Sequence, residues 1–372
     1  MLTRHDDLPL HQTPEPLAHP ATSDRNFYDR YFFNGFARDG SLFFAAAMGL
    51  YPNRRVLDAS FSLLEGGRQR SLHASRRAPL ERSQTRVGPL AVEVEEPLRR
   101  LRLRVGANPA GLACDLVFQA RTAAIEEPRA TLRSGTQVVL DSTRLTQFGC
   151  WSGTIEAEGR RFEIAPEHVL GVRDRSWGVR PVGEREAGAP GPAPQLFWLW
   201  APIHFDDVCT HLGVFEDEAG RPWHAGGVTV PAYAPGAGFP EADDPGERRA
   251  ARVAHRIEWE PGTRRARRAQ IELVPLSGEG AVLTLEPLLS FQMLGLGYLN
   301  PEWGHGMWKG EEAFGAESWK PSELAPLDPR HLHVQQLCRA RWGGREGIGV
   351  LEQLAIGPHG PSGFTSLLDG AR

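Results

Sequence analysis

Three polar clusters in this 372-residue chain carry residue types suited to proton chemistry, and each interrupts apolar surroundings. The first is Gly171-Val-Arg173-Asp174-Arg175-Ser176-Trp177-Gly178-Val-Arg180-Pro181, where charges of alternating sign surround a tryptophan. Such a run suits neither a core strand nor a solvated turn, so Asp174 needs a partner and Trp177 a cover. In extended chain Asp174 and Ser176 point to one face, and Arg173, Arg175 and Trp177 to the other. Arginines beside Asp174 favour its carboxylate form. The expectation is an aspartate that orients its surroundings, with Trp177 either offering a π face to a cation, stacking on Arg175 or plugging a barrel end.

The second cluster is His204, Asp206, Asp207 and His211, just after the apolar run Leu196-Phe-Trp198-Leu-Trp200. Residues 204 and 206 share a face of an extended strand, which sets an imidazole beside a carboxylate. That pair is a general acid/base unit, because histidine titrates near neutrality. A polar turn between strands explains the same letters. Histidine and aspartate also suit zinc or iron, but the spacing matches no established motif, and no metal is expected. The third cluster, Glu302-Trp303-Gly-His305-Gly-Met-Trp308-Lys-Gly-Glu311-Glu312, mixes glycines with aromatics and charges. Backbone packed closely against a strand or ligand accounts for it. Glu302 or His305 then serves as acid or base in a pocket, and a charged hairpin between domains is the alternative.

The elements that must position these groups read as strands. Segments of hairpin length flank Gly66-Gly67, Glu158-Gly159, Gly220, Pro261-Gly262 and Gly343-Gly344, the punctuation of antiparallel sandwiches or barrels. Phe43 to Leu50, FFAAAMGL, fits a short helix or a strand buried on both faces equally well. A length of 372 residues argues for two domains. The expected division is a disordered lead (1–25), one β-domain (26–181), a Gly/Pro linker (182–194), a second β-domain (195–358) and a tail (359–372). Pro235 to Glu247 reads as a loop over a barrel mouth, and the arginines from Arg264 to Arg268 as a solvated hairpin turn.

A formal net charge of -4 gives no general attraction to nucleic acid. Four scattered cysteines without a CxxC pair argue against a zinc ribbon or disulfide scaffold, and free thiols in the cytoplasm are expected. The first residues lack the apolar core of a signal peptide, and no stretch reaches the ~18 apolar residues of a membrane span. Walker, dinucleotide-binding, GxSxG and HExxH patterns are all missing, which disfavours phosphate and redox chemistry.

The string around Asp174 resembles the Asp-His-x-Trp-Gly signature of the carotenoid 1,2-hydratase and AttH-like superfamily. Tyr28-Asp-Arg-Tyr31-Phe-Phe-Asn-Gly35, Pro202-Ile-His204-Phe-Asp206-Asp207 and Asn300-Pro-Glu302-Trp303-Gly-His305-Gly look like an uncharacterised bacterial branch of it. The resemblance implies an all-β protein of two tandem lipocalin-like barrels. It implies a cofactor-independent enzyme that protonates a carbon–carbon double bond of an isoprenoid and delivers water, or a related cyclase. One departure matters. Arg175 stands where the signature has histidine, and a permanently protonated arginine cannot accept a proton from water, so that role is empty or has moved.

The combined expectation is a lyase or isomerase, hydratase or cyclase in type, acting on a terpenoid, steroid or lipid. Asp206, Asp207 or Glu302 is the acid, and His204 or His305 handles the second proton. Asp174, Arg175, Trp177, Trp198, Trp200, Trp303 and Trp308 contact the substrate. The partner is a hydrophobic small molecule, reached through transient membrane contact, with no nucleic acid and no cofactor. The competing expectation is a non-catalytic carrier or sensor of such a molecule, with a smooth apolar cavity and polar groups only at its mouth.

Overall fold

The computed structural model describes residues 1–184, 193–234 and 236–372. Most of the expected linker, 185–192, and Pro235 of the second loop lie outside the described residues. The expected hairpins are antiparallel pairs: Val56–Glu65 with Arg68–Arg77, Gln137–Ala157 with Arg160–Ile164, Val208–Glu216 with Pro222–Pro231, Arg248–Trp259 with Ala266–Pro275, and Val334–Trp342 with Arg345–Ile356. FFAAAMGL lies within the strand Leu42–Tyr51, buried along its whole length. Phe44, Ala46, Met48 and Leu50 enter one core and Phe43 and Ala45 another, so two apolar layers claim its alternate residues.

The chain builds two antiparallel sheets. The first is open, with Phe27–Ala37 and Val169–Val179 side by side at its centre. The second is a closed eight-stranded barrel from Leu196 to Ile356, in which Leu196–Trp200 and Ile203–His204 form one interrupted strand pairing with both Val208–Glu216 and Arg345–Ile356. Its interior is filled by Phe197, Leu199, Ile203, Leu212, Val214, Leu283 and their neighbours, as expected for a barrel of that strand number. Alternation sends Trp198, Trp200 and Leu354 outward. There they meet Phe32, Phe36, Phe148, Leu170 and Val172 from the first sheet, forming a third apolar layer between the two.

One excursion breaks the division by chain order. After Ala281–Gln292 the chain leaves the barrel and adds Glu312–Trp319 to the edge of the first sheet, beside Arg68–Arg77. The third polar cluster lies on this strap. The polar lead carries a short 3-10 turn, Arg4–Asp7, and Arg4 hydrogen-bonds Glu81 and Ser83. The arginine-rich turn corrects its expectation at one residue. Arg264 is buried, and its guanidinium donates to the carbonyls of Ala355, Gly357, Ser366 and Asp369, pinning the C-terminal residues. Cys114, Cys150, Cys209 and Cys338 are free and buried. Among the described residues no helix is long and apolar enough to cross a membrane.

Gly171 shows how tightly the central strands are fitted. A Cβ there would stand 2.2 Å from the Asn34 carbonyl oxygen and 2.3 Å from Trp151 Nε1. Those two atoms are hydrogen-bonded to each other, so neither can retreat freely. Gly171→Ala is expected to cost about 2–3 kcal/mol, as overpacking of a filled core does. The readout is a lower urea midpoint with an unchanged slope; a midpoint equal to wild type would show that this backbone yields.

Candidate active site

Register sets the polar groups on the first sheet. Arg30, Ser176 and Arg144 lie in one cross-strand row, and Phe32, Asp174 and Thr146 in the next row on the same face. Val169–Val179 is extended, so Leu170, Val172, Asp174 and Ser176 face the barrel while Arg173 and Arg175 face away. Across the gap the barrel offers Trp198, Phe215, Glu352 and Leu354, with His333 just before the strand Val334–Trp342. Tyr298 of the strap and Glu127 close the sides. These groups line a cavity of about 190 Å³. That is below the ~300–1,000 Å³ usual for small-molecule sites, so it encloses a small substrate or the reacting end of a larger one.

The two strands' carboxyl groups are pushed in opposite directions. Burial raises Asp174 to about 6, against the lowering pull of Arg144 and Arg30. The nearer guanidinium, Arg144, stands 3.9 Å away, outside hydrogen-bond distance. Glu352 is as deeply placed, yet His333 Nε2 at 2.7 Å, Gln335 Nε2 at 2.6 Å and Trp198 Nε1 at 3.1 Å all donate to it. Burial works to raise Glu352, and those donors outweigh it and hold it below the usual carboxylate range. Glu127 is likewise lowered against burial, by His211 and Arg144 and by the Thr146 and Trp200 donors. A raised and a lowered carboxyl in one cavity mark out an acid and an anchor.

His333 completes the set. In the neutral ring the Nε2 that faces the Glu352 carboxylate carries the proton and Nδ1 is the acceptor. Nδ1 is buried and has no hydrogen-bond partner among the described residues. An imidazole oriented by a carboxylate, with its other nitrogen free, is the arrangement of a general base.

Of the residues expected from sequence, Asp174 and Trp198 line this cavity. Trp200 stands behind it, its Nε1 3.3 Å from Glu127. Arg175 and Trp177 belong to the opposite face. Arg175 pairs with Asp29, lies 4.0 Å over the Tyr31 ring, and lines a separate cavity of about 570 Å³ under the N-terminal residues. Trp303 stacks on His73, and Trp308 is exposed beneath Arg77.

The expected acids and bases sit elsewhere. His204 is buried between the sheets; its Nε2 meets the Gly171 carbonyl at 3.2 Å, and the Phe36 and Phe148 rings stand edge-on to it. Asp206 is exposed; its carbonyl accepts from Arg121 and its carboxylate acts on Arg38, so among the described residues it forms no pair with the His204 imidazole. The chain bends after Ile203–His204, which removes the extended geometry that pairing required. Asp207 is exposed and paired with Arg345, and Glu302 is exposed with Lys309 3.9 Å away. His305 is half-buried behind the cavity wall, its Nε2 2.8 Å from the Leu296 carbonyl. Sequence reading missed His333, Glu352, Glu127 and Arg30. Glu352 alone carried a signal, a carboxylate inside the apolar run Ile348 to Ile356.

The model of a family of unknown function, DUF8625, matches residues 2–365, and the chain belongs to that family. No curated protein matches it. Its fold is similar to that of a protein assigned as AttH from Nitrosomonas europaea, with a TM-score of 0.54, 14% identity, and coverage of 93% of this chain and 97% of that one. It is also similar to kievitone hydratase from Nectria haematococca, with a TM-score of 0.50, 11% identity and coverage of 88% of each chain. At such identities the likeness is one of fold.

His204 gives a test of its structural role. Burial, with Arg121 and Arg38 nearby, holds the ring well below its ordinary pKa, so the folded protein keeps it neutral. The unfolded chain protonates it near pH 6.5. Stability from this site is therefore full above 6.5 and lost as the pH falls towards the depressed folded value. The deficit of His204→Gln relative to wild type is expected to shrink by about 1.6 kcal/mol in total between pH 6.5 and 5. Urea midpoints at several pH values read it, and a pH-independent deficit would mean that the ring titrates normally in place.

Proposed function

We propose that this protein is a cofactor-independent lyase or isomerase, hydratase or cyclase in type, which protonates a carbon–carbon double bond of a hydrophobic substrate between the two sheets. One observation carries the reading: a carboxyl group raised towards neutrality and an imidazole with a free acceptor nitrogen line the same cavity. A carrier needs apolar walls and no such pair. The similarity in fold to a hydratase agrees with the proposal.

In the proposed step the Asp174 O–H bond breaks and a C–H bond forms at one alkene carbon. The cation left on the other carbon faces the Trp198 and Tyr28 rings. Water, or a nucleophile within the substrate, adds to that carbon, and the proton it releases goes to His333 Nδ1. Glu352 steadies the imidazolium that results. The solvent then returns a proton to Asp174 and takes one from His333, which restores both groups. The second proton, which Arg175 cannot accept, is thereby handled on the barrel side of the cavity. The small volume favours an isoprenyl group or comparable apolar end as the reacting part.

Reaction in heavy water tests this whatever the identity of the substrate. Lipid extract of the host incubated with the protein in deuterium oxide is expected to yield a product carrying carbon-bound deuterium, detected by mass spectrometry. Asp174→Asn should lower that incorporation more than about 100-fold while the protein stays folded. The rate should fall as the pH rises above about 6, because the acid form of Asp174 is lost there. Undiminished labelling by Asp174→Asn would remove the aspartate from the mechanism.

A further inference from the structure

We propose that Arg30 and Arg180 form a subsite for a carboxylate on the substrate, so that the molecule taken up is an unsaturated amphipathic acid rather than a neutral hydrocarbon. The assignment rests on the reading of the cavity as an acid–base site and adds the substrate's polar handle.

Arg30 is 3% exposed, and both arginines line the cavity. Arg30 donates through Nη1 to the Tyr298 hydroxyl at 2.6 Å. Its Nη2 lies 3.1 Å from His305 Nε2, but that nitrogen is not available to it. His305 directs Nε2–H at the Leu296 carbonyl, 2.8 Å away, and accepts from Arg180 Nη2 at Nδ1, 3.2 Å away. A neutral ring can serve those two partners and no third. Arg30 Nε is buried and unpartnered as well. Nη2 and Nε of one guanidinium, both without an acceptor, are the fork that a carboxylate fills.

Charge leads to the same place. Among the described residues neither Arg30 nor Arg180 has a carboxylate within ion-pair distance. Arg144, by contrast, has Glu127 at 3.4 Å and Asp174 at 3.9 Å, and Arg175 has Asp29. Arg180 instead packs against the Tyr28 and Tyr298 rings. Asp174 and Asp58 act on Arg30 only from beyond ion-pair distance, and Asp58 acts on Arg180 in the same way. A ligand anion would supply the direct partner that a buried guanidinium otherwise lacks. Arg30 and Asp174 are diagonal neighbours across adjacent strands, about 7–8 Å apart at the backbone. The double bond presented to Asp174 therefore lies only a few bonds from the carboxylate.

Binding calorimetry with geranate and geraniol, which differ in the carboxylate, tests the subsite apart from turnover. Wild type is expected to hold geranate at least tenfold more tightly than geraniol at pH 7. In Arg30→Gln and Arg180→Gln that preference should fall below threefold, with geraniol affinity little changed. Arg180 is only partly buried, so its variant decides the matter if Arg30→Gln does not fold. Equal affinity of wild type for the two compounds overturns the carboxylate subsite and leaves the acid–base reading standing. A preference kept in both variants, or no binding of geranate, overturns the subsite too. Loss of the deuterium label from host lipid bears on the other reading alone.

Discussion

The rest of the site depends on a carboxyl group held away from water by two protein faces while its nearest cation stays beyond hydrogen-bond reach. Asp174 sits in a strand whose flanking arginines, Arg173 and Arg175, project to the other side of the sheet. Neutralisation therefore falls to Arg144 and Arg30, at longer range. Burial wins over them. Had either arginine formed a forked pair with Asp174, the same position would hold a permanent carboxylate, useless as an acid near neutral pH.

A hydrogen-bonded chain fixes the opposing wall. The Val172 amide donates to Asn34 Oδ1, the Asn34 amide to Gln335 Oε1, and Gln335 to Glu352, which also receives His333. It runs from the strand that carries Asp174 to the imidazole facing it, through residues that are buried throughout. Satisfied buried polar networks resist rearrangement because breaking one link strands its neighbour. The spacing of Asp174 and His333 is thus held by the chain that joins the sheets, with His204 as a second tie nearby.

The filled barrel explains why the cavity lies outside it. With Phe197, Leu199 and Leu212 occupying its interior, the barrel acts through its outer surface, one wall of a gap whose other wall is the open sheet. The cavity is accordingly a mixed one, with Arg30, Arg144, Arg180, Asp174, Glu127 and Glu352 set among Trp198, Phe215 and Leu354. The strap from Met293 to Trp319 adds Tyr298 to this gap and ties the barrel to the far edge of the first sheet.

The chain's local pattern determined the β class, the hairpins around Gly66-Gly67 and Gly343-Gly344, and the sidedness of Asp174 against Arg175. Each of these follows from turn chemistry or from two-residue alternation, which are properties of neighbours in sequence. It also pointed to the strand bearing Asp174. Which groups meet Asp174 was decided only in three dimensions. Arg30, Arg144, His333 and Glu352 come from four strands or strand ends, and their encounter is set by register and by sheet-on-sheet packing, to which no local pattern is sensitive. For the same reason His204 and Asp206 read as a pair: two residues apart they share a face only while the chain stays extended, and it bends there. Burial, the quantity that raises Asp174 towards neutrality, belongs to the assembled molecule.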